Sequence, residues 1–436
     1  METLKDYLLM QNPHWQTEEY STGILREFYL NKIIRILEHT KEITIISGVR
    51  RAGKTTLMKQ TIRYLTQKKN IHPKQILFLS CDTALLKGRE NPLEDCIEQY
   101  KLLTGISKDI WLFFDEVQEI ENFPLHIKNL YDSGRYHLII SGSTSHILTS
   151  KSGTYLTGRY IPVHVYPLSF AEYLEFKSVP VPKSDIDELQ DKYRIINMLK
   201  TYLTEGGFPA VISIDDEILR NDLLKAYYDS IVYRDIIASH SVKNPGMMLS
   251  LLTYLISNTS NLQSFRKLAE LFKSDAKVIQ DYISYASDGN LISAVTKFSY
   301  SYKKQIIAPK KMYCIDSGLR RAAGFTFSPD YGRLAENTVC IELMRRGFEP
   351  KYYSKDSEID FVVQMKDGKH LLIQVCNSDD IPERELVGFK EFTAEYPQAE
   401  TQKILLTENL ETEIEDVACI PLWKWLVGIS TESGQP

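Results

Sequence analysis

Residues 48–55 read Gly48-Val49-Arg50-Arg51-Ala52-Gly53-Lys54-Thr55, which is a full match to the phosphate-binding pattern G-x-x-x-x-G-K-[ST]. A β-branched run at 42–47 precedes the motif, and a stretch with helical spacing at 56–65 follows it. Between a strand and a helix, backbone amides and the positive end of the helix can hold phosphate oxygens. We therefore predict that residues 48–56, from Gly48 to Thr56, bind nucleotide phosphates. Lys54 would pair with the β- and γ-phosphates and Thr55 would hold Mg²⁺.

A second apolar run, residues 110–116, ends in two acids, Asp115 and Glu116. Acids at the carboxyl end of a buried strand face the ligand crevice of a parallel sheet. We predict that Asp115 holds Mg²⁺ and that Glu116 orients or deprotonates an attacking water. The alternative is a solvated acidic turn after a core strand. A kinase for small molecules does not need the second acid, so Glu116 favours hydrolysis.

The composition of the 436 residues is that of a globular protein with two to four domains. No apolar run reaches the length of a membrane span, and the first residues lack the pattern of a secretory signal. The six cysteines are scattered without a C-x-x-C pair, which argues against a zinc site or a disulfide framework. We expect a cytoplasmic protein. With a net charge of −5, any binding of nucleic acid must be local.

Two further strands, 75–80 and 136–140, alternate with helical stretches around these motifs. This alternation predicts an α/β fold with a mostly parallel, three-layer sheet. The strand at 136–140 ends in a polar tip that contains Ser141 and Ser143, where a sensor of the γ-phosphate would lie. Serine is also a common turn former, so a purely structural role is the alternative.

Arg159 follows the strand at 136–140 and is a candidate for an arginine finger, in cis or on a neighbouring subunit. The rival interpretation is a structural ion pair. The choice between cis and trans depends on the oligomeric state, which the sequence does not give.

Six short motifs together resemble one family, the bacterial and archaeal AAA+-type ATPases that carry a C-terminal domain of unknown function. They are Gly-x-Arg-Arg-x-Gly-Lys-Thr-Thr at 48–56, Phe-Asp-Glu-Val-Gln at 114–118, Ser-Gly-Ser at 141–143, Leu-Thr-Gly-Arg at 156–159, Pro-Leu-Ser-Phe at 167–170 and Gly-Gly-Phe-Pro at 206–209. The last two are the more specific. The resemblance extends from about residue 20 to 420, and it implies a P-loop core followed by a helical and winged-helix middle and a nuclease-like fold.

We accordingly expect four domains. These are an AAA+-like ATPase core with its lead-in at 1–180, a helical lid at 181–245, a winged helix at 246–320 and a degenerate α+β nuclease-like domain at 321–436. From 247 to 311 the chain has nine Lys or Arg against four Asp or Glu, a local charge of +5. The candidates for a phosphate-contacting patch are Arg266, Lys267, Lys273, Lys277, Lys303 and Lys304. Winged helices also serve as protein-contact or structural modules, so contact with DNA is one of two interpretations.

The last third of the chain holds a second set of acids. A helix over 332–347 places Glu336 on its apolar stripe, and a following strand carries Asp360. Both positions resemble the PD-(D/E)xK nucleases, in which carboxylates hold Mg²⁺ and a lysine steadies the nucleophile. The third element departs from that plan, because it reads Gln374-Val375-Cys376. We therefore predict a nuclease-like fold that does not cleave, with Cys376 in a packing role.

The sequence thus predicts a slow, Mg²⁺-dependent ATPase whose nucleotide cycle drives or gates its C-terminal modules. Lys54, Glu116, Ser141 and Arg159 are its catalytic candidates, and ATP with Mg²⁺ its cofactors. No base-reading motif distinguishes ATP from GTP. The expected partners are DNA through the winged helix, a partner protein or a second copy of the chain. Two alternatives are an ATP-dependent DNA-processing nuclease and a nucleotide-gated regulatory protein without catalysis.

Overall fold

The structure of the protein is a computed structural model that describes residues 3–17, 20–142, 153–183, 189–323 and 330–428. The chain divides into two compact units, Met1–Val165 and Tyr166–Pro436. In the described part of the chain, no helix is both long enough and apolar enough to cross a membrane.

The first unit is built on a parallel sheet that has five strands within the described residues. The strands are β1 (Ile43–Gly48), β2 (Ile76–Ser80), β3 (Ile110–Asp115), β4 (Tyr136–Gly142) and β5 (Tyr160–Val165). Their order across the sheet is β2-β3-β4-β1-β5, and each neighbouring pair is parallel. The predicted α/β class with a parallel sheet is confirmed.

Helices connect these strands because parallel neighbours need a crossover. Two helices, α1 (Leu4–Gln11) and α2 (Glu27–His39), precede β1, and the connecting helices are α3 (Lys54–Gln67), α4 (Pro92–Thr104), α5 (Phe123–Asp132) and α6 (Gly153–Leu156). The residues of β1 and β3 are buried throughout, as expected for strands covered on both faces.

The edge strand β2 is covered by α1 and the residues that follow it. The Asn12 side chain accepts a hydrogen bond from Phe78 N at 2.7 Å and donates one to Phe78 O at 2.9 Å. Trp15 Nε1 donates to Ile76 O at 2.8 Å, and Tyr7 donates its hydroxyl to Ser80 O at 2.8 Å. These bonds satisfy backbone groups that an open edge would leave for another chain.

The second unit begins with helices. They are α7 (Phe170–Phe176), α8 (Leu189–Glu205), α9 (Pro209–Ile212) and α10 (Glu217–Ser230), which continues as a π-helical segment, Ile231–Ala238. Next come α11 (Pro245–Ser257), β6 (Leu262–Gln263), α12 (Phe265–Leu271), α13 (Ala276–Asp288), β7 (Ile292–Val295), α14 (Tyr302–Ile307), β8 (Lys310–Cys314) and α15 (Ser317–Ala323). Strand β8 pairs antiparallel with β6 on one side and with β7 on the other.

A mixed sheet follows, with six strands in the part of this unit that is described. Its elements are α16 (Tyr331–Arg345), β9 (Lys351–Ser354), β10 (Glu358–Gln364), β11 (His370–Val375), α17 (Arg384–Glu395), β12 (Thr401–Thr407), β13 (Thr412–Ile414), β14 (Val417–Pro421) and α18 (Leu422–Val427). The strand order is β13-β14-β12-β11-β10-β9. Side chains of β10, β11, β12 and α17 share one buried apolar cluster.

The two motifs of the second unit that are most specific in sequence pack against each other. Leu168 N donates to Gly207 O at 2.8 Å, and a Cβ atom on Gly207 would lie 2.4 Å from Leu168 O. The carboxylate of Asp316 accepts from Gly207 N at 2.6 Å and from Gly318 N at 2.9 Å. Only a residue without a side chain fits between Leu168 and Asp316, which explains the paired glycines at 206–207.

Candidate nucleotide site

The carboxyl edge of the parallel sheet gathers most of the predicted site residues of the first unit. Strand β1 ends at the phosphate loop, β3 ends at Asp115, and β4, which lies between them, ends in Ser141 and Gly142. Because β4 separates β1 from β3, the polar end of β4 lies between the loop and the acid pair. Ser143 lies outside the described residues.

Two glycines of the phosphate loop have backbone conformations with positive φ. Gly48 has a φ of 139°, and a Cβ atom there would lie 2.1 Å from Val165 O. Gly53, with a φ of 100°, precedes the first residue of α3. The buried Arg26 donates from Nη1 to Ala52 O at 2.8 Å, so the loop is also held from the lead-in segment. Its amides therefore lie at the amino end of α3, as a phosphate site requires.

Lys54 is buried, and its Nζ donates to Gly48 O at 3.1 Å and to Val49 O at 3.4 Å. The same ammonium lies 3.7 Å from Oε1 of Glu116. A buried cation that bonds carbonyl oxygens and lies near a carboxylate is suited to exchanging these partners for phosphate oxygens.

Asp115 is the centre of a hydrogen-bond chain across the edge of the sheet. Thr55 Oγ1 donates to Asp115 Oδ2 at 2.7 Å, and the Ser141 hydroxyl donates to Oδ1. Glu116 N donates to Ser141 Oγ at 3.1 Å. Burial raises the pKa of Asp115, and the hydrogen bonds from Ser141 and Thr55 partly offset this effect.

Glu116 lies just after β3 in a left-handed backbone conformation, with a φ of 53°. Gln118 Nε2 donates to its Oε2 at 2.6 Å. Burial disfavours the Glu116 anion, but the Lys54 ammonium and the Gln118 amide outweigh this and lower the pKa of the carboxyl. Glu116 is therefore an anion that can accept a proton.

The oxygen atoms at this edge fit the chemistry of Mg²⁺. Thr55 and Asp115 provide a hydroxyl and a carboxylate in direct contact, which are hard ligands of the kind that Mg²⁺ takes alongside phosphates and waters. Among the described residues, no group of three or more His, Cys, Asp or Glu is arranged to hold a metal ion. A nucleotide-bound Mg²⁺ does not need such a group, because most of its ligands come from phosphate and water.

Arg159 does not join this site within its own chain. Tyr160 pairs with Ile43, the first residue of β1, and Arg159 O accepts from Ile43 N at 2.9 Å. Arg159 Nε lies 3.5 Å from Asp132 Oδ1. Since β4 and β5 both run parallel to β1, the chain must return to the amino edge before β5 begins. The expectation of an arginine finger in cis therefore does not fit, and a role in trans stays a prediction.

Three residues of the site were not singled out from the sequence. The first is Gln118, which donates a hydrogen bond to Glu116, and the second is Arg26, which donates one to the phosphate loop. The third is His164, whose Nδ1 lies 3.3 Å from Ser47 Oγ. Burial and the nearby Lys54 lower the pKa of His164 to about 4, so its ring is neutral. Gln118 follows the acid pair by two residues and was visible as a candidate. Arg26 and His164 come from distant segments and carry no local signal.

The acids of the C-terminal part are brought together in a different environment. Glu336 on α16 and Asp360 on β10 both contact Lys311 of β8, each at 2.9 Å. Gln374 is bonded through both ends of its amide, accepting from Asp360 N at 3.1 Å and donating to Glu385 Oε2 at 2.8 Å. Burial raises the pKa of the Cys376 thiol, as expected for a packed side chain rather than a nucleophile.

Comparison with known proteins places the chain among P-loop ATPases. A model described as an AAA domain matches residues 40–174, and two models described as domains of unknown function, DUF8612 and DUF4143, match residues 196–329 and 331–425. The chain is 32% identical over 419 residues to the uncharacterized protein MJ1544 of Methanocaldococcus jannaschii, covering 91% of this chain and 90% of that protein. It is 30% identical over 415 residues to an uncharacterized protein of Haemophilus influenzae, covering 93% and 98%.

The chain therefore belongs to the family of these proteins, as an AAA+-type P-loop ATPase with C-terminal domains of unknown function. Similar solved structures include the Walker-type ATPase PABY2304 of Pyrococcus abyssi, with a TM-score of 0.42 and 13% identity, covering 71% of this chain and 99% of that one. Another is the Orc1 protein of Aeropyrum pernix in complex with DNA, with a TM-score of 0.30 and 10% identity, covering 71% and 94%.

Proposed function

We propose that this protein is a slow, Mg²⁺-dependent ATPase. The observation that carries the proposal is the chain of contacts from Thr55 through Asp115 and Ser141 to the backbone of Glu116. The Lys54 ammonium lies 3.7 Å from the side-chain carboxylate of Glu116. These are the groups that phosphoryl transfer to water needs, namely a hydroxyl and a carboxylate for the metal, a cation for the phosphates and a base.

Each of these residues has one role in the proposed reaction. The amides of residues 48–56 bind the phosphates, and Lys54 leaves the carbonyl oxygens of the loop to neutralise phosphate charge. Thr55 and Asp115 would hold Mg²⁺, which when bound neutralises charge on the β- and γ-phosphates. Glu116 orients the attacking water and accepts its proton, while Ser141 fixes the position of Glu116 relative to Asp115.

Phosphate release and calorimetry with Mg·ATP test these roles. We expect Lys54→Ala to lose tight nucleotide binding, and Glu116→Gln to keep binding but to lower the hydrolysis rate roughly 10² to 10⁴-fold. Lys59→Ala on the same helix and Glu121→Gln, an exposed acid near Glu116, are the matched controls and should resemble the parent. Hydrolysis by Glu116→Gln at the parental rate would remove the proposed base, and absence of heat on adding Mg·ATP to the folded parent would remove the proposal.

We further propose that the protein acts in the cytoplasm and that its nucleotide state gates a nucleic-acid contact made by residues 246–320. From α11 to β8 the order is helix, strand, helix, helix, strand, short helix, strand, and β8 pairs with both β6 and β7, which supports a winged helix. The six basic residues listed in the sequence analysis are all exposed. Tyr302, 74% exposed, adds an aromatic side chain beside Lys303 and Lys304, and such a combination suits stacking and phosphate contacts.

A gel shift scanned over salt concentration tests this second function. The double variant Lys303→Glu/Lys304→Glu should bind DNA more weakly and lower the slope of log K against log salt by about 2. The exposed Lys366→Glu, in a turn of the mixed sheet, is the control. If the parent shows no salt-dependent binding with or without ATP, the basic surface serves another purpose, and a protein partner becomes the better candidate.

A further inference from the structure

One lysine of the second unit is surrounded by carboxylates. Lys311, on β8, has a side chain that is only 3% exposed, and its Nζ lies 2.9 Å from Glu336 Oε1 and 2.9 Å from Asp360 Oδ1. The same ammonium also contacts Glu358. Glu336 comes from α16, and Glu358 and Asp360 are the first and third residues of β10, so the cation on β8 joins three segments of the fold.

The acids have few other bonds, and these hold them in place around the ammonium. Asp360 Oδ2 accepts from Val375 N at 3.0 Å, and Glu336 Oε1 accepts from the Tyr313 hydroxyl at 2.7 Å. We name the set Lys311, Glu336, Glu358 and Asp360 the lysine–carboxylate cluster. A buried charge is stable only when it is paired and hydrogen-bonded, and this cluster meets that condition for its cation.

The three carboxylates of the cluster favour a positive charge at the position of the Lys311 ammonium. Burial opposes the charge on Lys311, but Asp360, Glu336 and Glu358 outweigh it and hold the pKa of the ammonium well above its usual value. Burial, together with Asp360, raises the pKa of Glu336 to about 8. One ammonium therefore does not neutralise all three acids, and the site favours positive charge.

We propose that the Lys311 ammonium is the built-in cation of this cluster, that it keeps divalent metal ions out, and that removing its charge turns the three carboxylates into a divalent-metal site. The ammonium contacts all three carboxylates at once, and this is the position that a metal ion shared by them would take. Oxygen ligands of this kind suit Mg²⁺ and Mn²⁺. Among the described residues no group of three or more His, Cys, Asp or Glu is arranged to hold a metal ion, so after removal of the ammonium the acids would have to draw in from their 2.9 Å contacts to reach ligand distances.

A loss of metal ligands would be a different reason for the cluster not to bind a metal ion. The departures at Gln374 and Cys376 remove two groups of the PD-(D/E)xK plan, but three carboxylates remain in contact with one cation. If ligand loss were the whole reason for the absence of metal, replacing Lys311 would not create a site. If the ammonium occupies the position, replacing it would.

Binding of Mn²⁺ to nucleotide-free protein, followed by electron paramagnetic resonance, tests the proposal. We expect Lys311→Ala and the longer Lys311→Met to bind about one more Mn²⁺ per chain than the parent, and the added Asp360→Asn change to abolish the extra site. Lys310→Ala is the matched control, because Lys310 is a buried neighbour on β8 whose ammonium bonds the carbonyl oxygens of Gln305 and Ile306.

Loss of Lys311 leaves unpaired acids in a buried site, so the variants should unfold at a lower temperature than the parent. Millimolar Mn²⁺ should raise that temperature again, through binding to the folded state alone. The proposal fails if folded variants bind no more Mn²⁺ than Lys310→Ala. It also fails if unfolded variants are not restored by Mn²⁺, or if the parent binds Mn²⁺ at a site that Asp360→Asn removes.

Discussion

The hydroxyl of Ser141, at the end of β4, donates to the carboxylate of Asp115, at the end of the neighbouring strand β3. The same Ser141 oxygen accepts the backbone N–H of Glu116 at 3.1 Å. One side chain therefore joins the proposed metal ligand to the backbone of the proposed base. This arrangement makes Ser141 a positioning residue for both acids.

Ser141→Ala should slow hydrolysis and leave ATP binding nearly unchanged. Loss of both hydrogen bonds frees Asp115 and Glu116 to shift, and about 1 to 2 kcal/mol of added barrier corresponds to a roughly five- to thirtyfold lower kcat. Steady-state phosphate release and calorimetry measure the two effects separately. Ser133→Ala, which removes a hydroxyl bonded to Leu130 O in a distant turn, is the control. Parental activity in Ser141→Ala would assign the serine to the turn alone.

Arg159→Ala should leave hydrolysis within about twofold of the parent in dilute protein. Arg159 lies at the amino edge of the sheet beside Asp132, and an exposed pair of this kind contributes about 0 to 1 kcal/mol. Asp132→Ala, which breaks the same pair from the other side, should behave alike. The rates are to be measured over a range of protein concentrations. A loss that appears only at high concentration would indicate an arginine supplied to a neighbouring subunit, and a tenfold loss at all concentrations would contradict the placement.

Gly207→Ala should destabilise the second unit by about 2 to 4 kcal/mol. Its Cβ atom would lie 2.4 Å from Leu168 O, so the backbone of one of the two motifs must move. Urea unfolding followed by circular dichroism measures the change. Gly332→Ala in α16 is the matched control, because its nearest atom, Asp330 Oδ1, is 3.7 Å from the added carbon. Equal midpoints for the two variants would show that the contact between the motifs can relax.

Asp316→Asn should change how stability depends on pH. Burial raises the pKa of Asp316 to about 6, against the hydrogen bonds from Gly207 N and Gly318 N. A carboxyl whose pKa is raised in the folded state contributes stability below its unfolded pKa and loses it as pH rises through the folded value. The unfolding free energy of the parent relative to Asp316→Asn should therefore fall by about 2 kcal/mol between pH 4 and pH 7.

Urea titrations of both proteins at several pH values measure this difference, in which the other titrating groups cancel. The exposed Asp215→Asn is the control. A difference between parent and Asp316→Asn that stays constant from pH 4 to pH 7 would contradict the raised pKa of this carboxyl.

The parts of the fold that the sequence predicted are those whose pattern lies within one continuous stretch of residues. Strand β1, the phosphate loop and α3 follow one another within residues 43 to 67, and the acids after β3 end an unbroken apolar run, so spacing alone indicated them. The position of β4 between β1 and β3 was not predictable in this way, because the order of strands in a parallel sheet is not their order in the chain.

The same physical limit explains Arg159 and Lys311. Arg159 was placed by its distance in sequence from β4, but the chain crosses back to the opposite edge before β5. Lys311 meets Glu336 and Asp360 across 25 and 49 residues, and only the pairing of distant segments reveals that contact. Patterns of hydrophobic spacing report which face a residue occupies and not which remote side chain it meets.

The bond between Gly207 and Asp316 spans 109 residues, and the second of these residues follows β8. During synthesis, the segment that contains Leu168 and Gly207 therefore leaves the ribosome long before its fixing carboxylate exists. The first unit, by contrast, is complete in one continuous stretch that ends at Val165. All residues of the first unit are therefore synthesised before Asp316, whereas the early helices of the second unit lack the hydrogen bond to Asp316 until that residue is made.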